Sequence, residues 1–599
     1  MSNLVLERRD VAKADGSEAE LVLAPSAQGA KVAGGLSSGD RAVVSVQRDS
    51  DEPFIVSNAA VREVTPAKRV KLLLKKPLSH SAVLGCALED LSWRVDKEAS
   101  AGLAARMRGA LLALVGSSGP SRLRELVIDL SEARFADQQR LDGSWADSDL
   151  NREQERAVQL MARAHDYALV RGLPGAGKTH TLAAGIRRVM RSGRKVLVSA
   201  HTNAAVDNVL SRLIALGEKP LRVGDQSKVS DAVKPYTLGS SGCAYESVEQ
   251  LSGILSSSRC VGCTCSGVHH PALAQLTFDM CVIDEASQVL LPASLRCLSR
   301  AHSFTLCGDH AQLPPLVRFR RLHPVLLRCD TFDDDPRGKR LQVTNEEARR
   351  GGLSVSLFER LAEARPETLT PLTIQYRMNN SIMRLNNAIT YDGSLSAGSR
   401  EVRAPSCRMR AVDVLLRCGS RWKHQVADGC LGVEPTFTER LDGSNFVKAI
   451  LSKERSVVFL DQDSSGESVT TTALVCEALQ ALKEHTSLTD SDYVCMSPYN
   501  VEVEAMQQQL RSGGLAWQAA VTVDRAQGLD KRCAIVSVGS GTKSSILSDW
   551  RRLNVAMTRA RHKLILVGSI SGIEEGSPGD SPLRSLALFA RREKLAVAV

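Results

Sequence analysis

The order of apolar and polar residues divides the chain into four regions. Over residues 1–80, short runs in which apolar and polar residues alternate are separated by Gly, Ser and Pro, which predicts a small β-barrel-like module. These runs are residues 20–23, 42–46, 54–56 and 70–74. Residues 81–145 change to a helical period, with Leu103, Met107, Leu111 and Leu114 on one predicted face, and this indicates a helical stalk.

The remaining two regions alternate between strands and helices. Runs that are almost entirely apolar are typical of parallel strands covered by helices on both faces. The predicted strands are residues 167–170, 195–199, 280–283 and 304–307 in the first region, and 456–460, 493–496, 534–538 and 564–567 in the second. The fold class is therefore predicted as α/β with two tandem domains, 146–365 and 366–599, and residues 318–343 and 399–443 are interpreted as loops or insertions.

Composition narrows the class of protein. The chain has 599 residues, of which 43% are hydrophobic and 24% charged, a balance typical of globular proteins. No apolar run approaches the roughly 20 residues that a membrane span needs, so no membrane partner is expected. A net charge of +10 is compatible with a polyanionic partner but does not establish one. Fifteen cysteines without a secretory-signal pattern favour reduced intracellular thiols.

A glycine-rich segment, GLPGAGKT at residues 172–179, fills every fixed position of the phosphate-loop pattern. An apolar run precedes it and a predicted helix follows, so the positive end of the helix lies at the bound anion. We expect Lys178 to reach the β- and γ-phosphates and the Thr179 hydroxyl to hold Mg²⁺. The residues assigned to the nucleotide here are Gly172, Pro174, Gly175, Ala176, Gly177, Lys178, Thr179 and His180.

Two adjacent acids, Asp284 and Glu285, follow the apolar run 281–283. Alone, such a pair could be a strand end that meets solvent. Beside a complete phosphate loop we favour a catalytic interpretation, in which Asp284 holds the metal and Glu285 polarises the attacking water. ATP and Mg²⁺ are therefore the predicted cofactors.

Seven segments stand in the order of the motifs of superfamily 1 helicases of the 5′-to-3′ branch. They are LNREQ (150–154), SAHTNAAVDN (199–208), DEASQ (284–288), GDHAQLPP (308–315), QYRM (375–378), VTVDRAQGLDK (521–531) and RLNVAMTRAR (552–561). From about Trp93 to Ile570, the chain resembles the helicase half of the replication helicase/nucleases that process Okazaki-fragment flaps. The resemblance implies two tandem RecA-like domains.

The resemblance also implies roles for single residues. Gln154 would read the adenine edge, Tyr376 would stack near the base, and Gln312 would sense the γ-phosphate. Arg377 and Arg559 would act as arginine fingers, which contribute about 10³–10⁵ in rate in related phosphoryl transfers.

Further implied roles concern the ribose and the nucleic acid. Asp530 stands where a Glu of the family contacts the ribose, Ala526 where an aromatic residue is usual, and Leu529 where a charged residue is common. The implied contacts to a nucleic-acid backbone are Thr202, Asn203, Thr264 and Thr522. Small hydroxyl and amide groups suit phosphate contacts, so we expect no sequence specificity.

One part of the family is not matched. The flap-processing enzymes carry, ahead of the motor, a metal-dependent nuclease domain with an iron–sulfur cluster held by four cysteines. The residues before Trp93 contain one cysteine, Cys86. We therefore expect no nuclease activity in this chain.

Three weaker signals have competing interpretations. Cys260, Cys263 and Cys265, followed by His269 and His270, could bind zinc or a cluster, but we favour buried thiols. Residues 66–76 (PAKRVKLLLKK) could be a nuclear import signal, but we favour a barrel strand with a solvated basic face. The basic residues of the first insertion could line a DNA channel, but we favour a solvated loop; they are Arg318, Arg320, Arg321 and Arg328.

The sequence therefore predicts an ATP-dependent helicase that moves 5′ to 3′ on single-stranded or forked DNA in replication and repair. RNA is an alternative substrate, and remodelling of protein–DNA complexes without unwinding is an alternative activity. A non-catalytic binding module is disfavoured by the intact phosphate loop and acids. Candidate partners are a single-strand-binding protein and a nuclease in trans. The expected location is the nucleus, with the mitochondrion as the alternative.

Overall fold

The computed structural model describes most of the chain. The described residues are 4–11, 19–25, 41–47, 54–65, 69–74, 92–97, 101–116, 121–137, 149–315, 351–399, 402, 443–452, 454–462, 471–539, 547, 549–579 and 581–598. The chain divides into two compact units, one with an antiparallel barrel and one with two parallel sheets. Cys86, Arg318, Arg320, Arg321 and Arg328 lie outside the described residues.

Six antiparallel strands of the first unit close into a barrel in the order β1-β2-β5-β4-β3-β6. They are β1 Leu4–Val11, β2 Ala19–Pro25, β3 Arg41–Gln47, β4 Phe54–Val64, β5 Val70–Leu74 and β6 Ser92–Lys97. Alternate residues of β5, Val70, Leu72 and Leu74, are buried, while Lys71 pairs with Glu20 at 3.2 Å. The described part of residues 66–76 is thus a barrel strand, and closure leaves no open sheet edge.

The predicted start of the helical stalk at residue 81 is wrong, because β6 belongs to the barrel. Trp93 and Val95 are both fully buried, which is the spacing of a strand with one face in the core. Two inward residues are too few to stand out against the helical pattern that follows. The described helices of this region are Ala101–Gly116 and Arg122–Val127.

The predicted apolar face of the first of these helices is also wrong in part. Among residues 106–115, Ala110 and Leu114, one turn apart, are buried, whereas Leu111 is 37% exposed. The side chain of Leu103 lies outside those that the structure describes. The sequence analysis did not assign Ala110 to the buried face because alanine is only weakly hydrophobic.

The first parallel sheet has the order β13-β7-β12-β11-β8-β10-β9. Its strands are β7 Tyr167–Gly172, β8 Val196–Ala200, β9 Leu221–Arg222, β10 Cys260–Thr264, β11 Phe278–Asp284, β12 Ala301–Gly308 and β13 Leu369–Leu372, which confirms the four predicted strands. The helices are Arg152–Arg163, Lys178–Arg191, Asn203–Ala215, Val248–Ser257, Leu291–Leu298 and Leu357–Ala364. Leu169 packs in the core on one face, whereas Ala168 and Val170 pack on the other, so the strand is apolar throughout.

The predicted boundary between the two α/β domains, at residues 365 and 366, is wrong by one strand. β13 lies beyond that boundary but pairs in parallel with β7 of the first sheet. It is an edge strand with Pro371 in its middle and only Leu372 fully buried, so it lacks the apolar run of a central strand.

The second parallel sheet has the order β18-β17-β19-β20-β16-β21. Its strands are β16 Val457–Asp461, β17 Tyr493–Ser497, β18 Ala520–Thr522, β19 Lys531–Gly539, β20 Ala560–Gly568 and β21 Ala596–Ala598, and the four predicted strands are confirmed. The short strands β14 Ile374–Gln375 and β15 Ser396–Ala397 pair apart from it. The helices are Asn380–Asn386, Gly443–Leu451, Thr471–His485, Asn500–Ser512, Trp550–Met557, Ile570–Gly576 and Pro582–Arg592, with a π-helical turn at Asn387–Tyr391. Within the described ranges, no helix has the length and apolarity to span a membrane.

A buried carboxylate, Asp166, ties the segment ahead of the first sheet to the start of β7. It accepts five hydrogen bonds of 2.7–3.1 Å, two from Arg122 and three from Arg134. Burial alone would raise the pKa of Asp166, but these arginines outweigh it and hold the pKa well below its ordinary value. The stabilisation is therefore present above the ordinary carboxyl pKa and is lost as the pH falls towards the depressed one.

Replacing Asp166 by Asn is expected to destabilise the protein by about 2 kcal/mol, or roughly 4–8 °C in Tm, because an amide turns a donor towards two guanidinium groups. Thermal unfolding followed by fluorescence measures the change. The control is Asp231→Asn, because the Asp231 side chain is 95% exposed and pairs only at the surface with Lys234. Equal Tm values for the two variants would contradict a structural role of Asp166.

Candidate active site

The phosphate loop connects β7 to the helix Lys178–Arg191. Gly175 and Gly177 have φ of +76° and +79°, a region that side chains disfavour. A Cβ on Gly175 would lie 2.6 Å from Arg377 Cβ, and one on Gly177 would lie 2.6 Å from Gln154 Nε2. Conformation and close neighbours therefore both require glycine at these positions.

Lys178 and the two acids meet at the carboxyl ends of the central strands. Lys178 Nζ lies 3.8 Å from Glu285 Oε1, and these side chains are only 13% and 18% exposed. Burial would lower the pKa of Lys178, but the carboxylates of Glu285, Asp309 and Asp284 outweigh it and raise the pKa, so the ammonium form persists. Burial, with the neighbouring charge of Glu285, raises the pKa of Asp284 to about 7, although Lys178 opposes the shift.

The backbone of Glu285 has a left-handed φ of 52°, which is uncommon for a residue other than glycine. Its N–H donates to Asp284 Oδ1 at 2.9 Å, and its Oε2 accepts from Gln288 Nε2 at 3.2 Å. Such a conformation costs of order 1–3 kcal/mol and is often found at functional sites. The turn directs the Glu285 carboxylate towards Lys178.

The residues fit Mg·ATP. The glycines leave space for phosphate against the backbone, and Thr179 and Asp284 offer the oxygen ligands that Mg²⁺ prefers. In the part of the chain that the structure describes, no group of three or more His, Cys, Asp or Glu could hold a metal ion by itself. Mg²⁺ is commonly bound by one or two protein ligands together with phosphates and water.

Cys260, Cys263 and Cys265 are buried on or just after β10. Burial raises the pKa of Cys260 and of Cys263 to about 12, so both are neutral thiols. Cys265 Sγ accepts a hydrogen bond from the Ser199 hydroxyl at 3.4 Å. These contacts favour buried thiols over a metal site.

Of the two predicted arginine fingers in the second sheet's domain, Arg377 lies beside the phosphate loop, whereas the hydrogen bonds of Arg559 are to its own domain. The N–H of Tyr376 donates to Gly175 O at 2.9 Å, and Arg377 Nη1 lies 3.4 Å from Thr558 O. Arg559 is almost fully buried and donates to Val555 O and Leu529 O. Burial, together with the positive charge of Arg377, lowers the pKa of Arg559 to about 9, and the Glu285 carboxylate opposes this shift. A bound polyanion would relieve the repulsion between the two arginines.

Gln154 and Tyr376 lie at one end of the loop and are linked through Asn151. Asn151 caps the helix Arg152–Arg163, and Gln154 Oε1 accepts from its N–H at 3.0 Å. Gln154 Nε2 donates to Ala176 O at 3.1 Å, and Asn151 Nδ2 donates to Tyr376 Oη at 2.9 Å. Tyr376 is 43% exposed, so its ring is available to a base. The contact of Gln154 and Tyr376 with adenine stays a prediction.

Asp530 and His180 have partners that the sequence did not predict. Asp530 accepts two hydrogen bonds from Arg561, at 2.6 and 2.7 Å, and lies 3.4 Å from Arg377 Nε. His180 Nδ1 lies 2.7 Å from Arg212 Nη2. The nucleotide contacts of Asp530 and His180 stay predictions. Arg561, two residues after Arg559 in the last motif, is a partner of Asp530 that the sequence analysis missed, and its place in the motif was the available signal.

The predicted nucleic-acid contacts lie mainly at one sheet edge. Thr202 and Asn203 follow β8, and Thr264 ends β10, which pairs with β8. Arg222, which is buried and paired with Asp207 at 2.9 Å, donates to Asn203 Oδ1 at 2.7 Å. Thr522 ends β18 of the second sheet. The structure thus brings three of the four residues to one edge, and their contact with nucleic acid stays a prediction.

Two families with the description AAA domain match this chain. Residues 149–244 and 243–318 match one of them, and residues 353–571 match the other. The first match includes the phosphate loop, Asp284 and Glu285, and the second includes Arg377 and Arg559.

The chain is similar to curated DNA replication ATP-dependent helicase/nucleases. JHS1 of Arabidopsis thaliana is 31% identical over 553 residues, which are 89% of this chain and 37% of that protein. DNA2 of Mus musculus is 32% identical over 568 residues, 91% of this chain and 48% of that protein. DNA2 of Homo sapiens is 32% identical over 589 residues, 94% of this chain and 50% of that protein. The resemblance that the motifs predict is therefore confirmed.

This chain spans half or less of the length of these relatives. The expectation that it has no nuclease activity finds no support, because the relatives are named helicase/nucleases. Among solved structures, an arterivirus helicase, nonstructural protein 10, aligns over 92% of this chain and 76% of its own at 13% identity and a TM-score of 0.35.

Proposed function

We propose that this chain is an ATP-dependent DNA helicase that translocates 5′ to 3′ on single-stranded DNA. The observation that carries the proposal is that Lys178 and Glu285 lie 3.8 Å apart in one α/β domain, while Arg377 of the other domain lies beside Gly175 of the phosphate loop. In this proposal the two domains are RecA-like lobes, and nucleotide-dependent closure between them moves the strand.

Each catalytic residue has a task that its surroundings support. When bound, Mg²⁺ neutralises phosphate charge, and ATP supplies the γ-phosphoryl group that water accepts. Thr179 and Asp284 would hold the metal, and the charged Lys178 would bind the phosphates. Glu285 orients the attacking water and accepts its proton. Arg377 and Arg559 stabilise the negative charge that develops on the transferred group.

The nucleic-acid strand is proposed to follow the edge formed by Thr202, Asn203 and Thr264, and to continue to Thr522 of the second lobe. Small hydroxyl and amide groups contact the sugar–phosphate backbone without reading bases, so binding tolerates any sequence. Arg222 supports this grip because it fixes the orientation of the Asn203 amide.

The biological setting is proposed from the relatives, whose names place them in DNA replication. We propose a role in replication and repair in the nucleus, with the mitochondrion as the alternative. A single-strand-binding protein and a nuclease in trans are the candidate partners.

Unwinding of tailed duplexes tests the proposal. With ATP, the chain is expected to separate a DNA duplex with a 5′ single-stranded tail and to leave one with a 3′ tail intact. Unwinding from the 3′ tail alone would contradict the polarity. ATP hydrolysis stimulated by DNA without unwinding of either duplex would indicate a translocase that remodels protein–DNA complexes, and preference for RNA duplexes would indicate an RNA helicase.

A further inference from the structure

A buried hydrogen-bond junction joins the two α/β domains beside the catalytic residues. Asp309, immediately after β12, is fully buried, and its Oδ2 accepts from Gln312 Nε2 at 3.1 Å and from the Tyr391 hydroxyl at 2.8 Å. Asn554 Nδ2 donates to the Tyr391 oxygen at 2.7 Å and to Ala311 O at 2.6 Å. The first domain supplies Asp309, Ala311 and Gln312, and the second supplies Tyr391 and Asn554.

The direction of each hydrogen bond in the junction is fixed. Ala311 O can only accept, so the Asn554 amide must turn its NH₂ group towards it, and the same group reaches the Tyr391 oxygen. The Tyr391 proton is then left for the Asp309 carboxylate. Burial and the neighbouring Asp309 charge raise the pKa of Tyr391 well above its ordinary value, so the phenol keeps this proton at neutral pH.

Local backbone structure delivers both second-domain residues to the interface. Tyr391 is the last residue of the π-helical turn Asn387–Tyr391, which adds a residue to the turn and so changes the direction of the side chain. Asn554 lies on the helix Trp550–Met557, one turn after Arg551, whose Nη2 pairs with Glu359 Oε1 of the first domain at 2.9 Å. This helix face is therefore attached to the first domain at two points, and the helix leads directly to Arg559.

We propose that Tyr391 is a positioning residue for ATP hydrolysis: through Asp309 it fixes Gln312, and through Asn554 it sets the helix that leads to Arg559. The γ-phosphate sensor of one domain and an arginine finger of the other are thus aligned by one hydroxyl group. This inference rests on the proposed ATPase activity. Without the hydroxyl, Asp309 Oδ2 keeps only Gln312, and Asn554 loses one of its two acceptors.

The test is Tyr391→Phe in the full chain, with kcat and KM for ATP measured in the presence of single-stranded DNA. We expect kcat to fall about tenfold to a hundredfold, because small displacements of catalytic groups have effects of this size, while KM for ATP is unchanged. The control is Tyr493→Phe, because Tyr493 is a buried tyrosine of the same domain whose hydroxyl also donates to a carboxylate, that of Asp490, at 3.0 Å. Melting curves of both variants identify the temperatures at which each is folded.

A double-mutant cycle with Gln312→Ala separates positioning from a general structural effect. If Tyr391 acts in part through Gln312, the loss of turnover in the double variant is smaller than the product of the two single losses. A multiplicative loss, or equal losses in Tyr391→Phe and Tyr493→Phe, overturns the assignment. Turnover that Tyr391→Phe leaves intact contradicts the Tyr391 role alone, whereas absence of turnover in the unsubstituted chain contradicts the proposed ATPase and this role with it.

Discussion

Replacing Lys178 by Ala is expected to abolish nucleic-acid-stimulated ATP turnover, a loss of at least about 10³-fold. The ammonium group is the charge that approaches the phosphates, and loss of a single preorganised group of this kind costs about 10²–10³ in rate before any loss of nucleotide binding is added. The surrounding carboxylates of Glu285, Asp309 and Asp284 keep Lys178 charged, and no other described lysine pairs with these acids. Steady-state release of phosphate measures the effect.

The matched control for Lys178 is Lys195→Ala. Lys195 precedes β8 at the opposite edge of the same sheet, and its ammonium group donates to Ser256 O at the surface. This variant is expected to retain parental turnover. Stimulated hydrolysis that persists in Lys178→Ala would refute the assignment of the phosphate loop.

Replacing Arg377 or Arg559 by Ala is expected to lower kcat about 10³-fold or more, with a smaller effect on KM for ATP. Arginine fingers act on charge that develops in the transition state, so their loss appears mainly in kcat. Arg377 contacts Gly175 of the phosphate loop, and Arg559 donates to the hydroxyl of Thr558, whose carbonyl oxygen lies 3.4 Å from Arg377 Nη1. Arg559→Lys is expected to restore little activity, because Lys lacks the planar, two-pronged geometry of a guanidinium group.

The control for the fingers is Arg384→Ala in the same domain, because the Arg384 side chain is 64% exposed and pairs only with Glu593 at 3.4 Å. It is expected to leave kcat unchanged. An Arg377→Ala variant that lowered only nucleotide affinity would show that Arg377 binds ATP without stabilising its transition state.

The central strands of the fold could be predicted from the sequence because nearly all of their residues are buried and therefore apolar. β7, β8, β11 and β12 are covered on both faces, so each appears in the sequence as a continuous apolar run. The phosphate loop could also be predicted from the sequence, since Gly175 and Gly177 hold conformations that other residues disfavour. Strand β6 and edge strand β13 were missed because each turns few side chains into a core.

The residues that position the site were harder to predict, because they depend on contacts between distant segments. Asp309 and Tyr391 are 82 positions apart in the sequence. A π-helical turn, which no local sequence pattern predicts, directs Tyr391 to the interface. Arg561 was assigned no role, although Asp530 lies between it and Arg377. Family motifs mark the groups that contact the substrate. They are less informative about the buried groups that hold those side chains in place.

The most direct test of the central claim is the rate of ATP hydrolysis by the unsubstituted chain with single-stranded DNA, with single-stranded RNA and with neither. A DNA-driven motor is expected to hydrolyse ATP slowly without nucleic acid and many times faster with DNA. Its rate with RNA is expected to be lower than its rate with DNA. Hydrolysis that neither nucleic acid stimulates, or no hydrolysis under any of the three conditions, would contradict the assignment of this chain as a nucleic-acid motor.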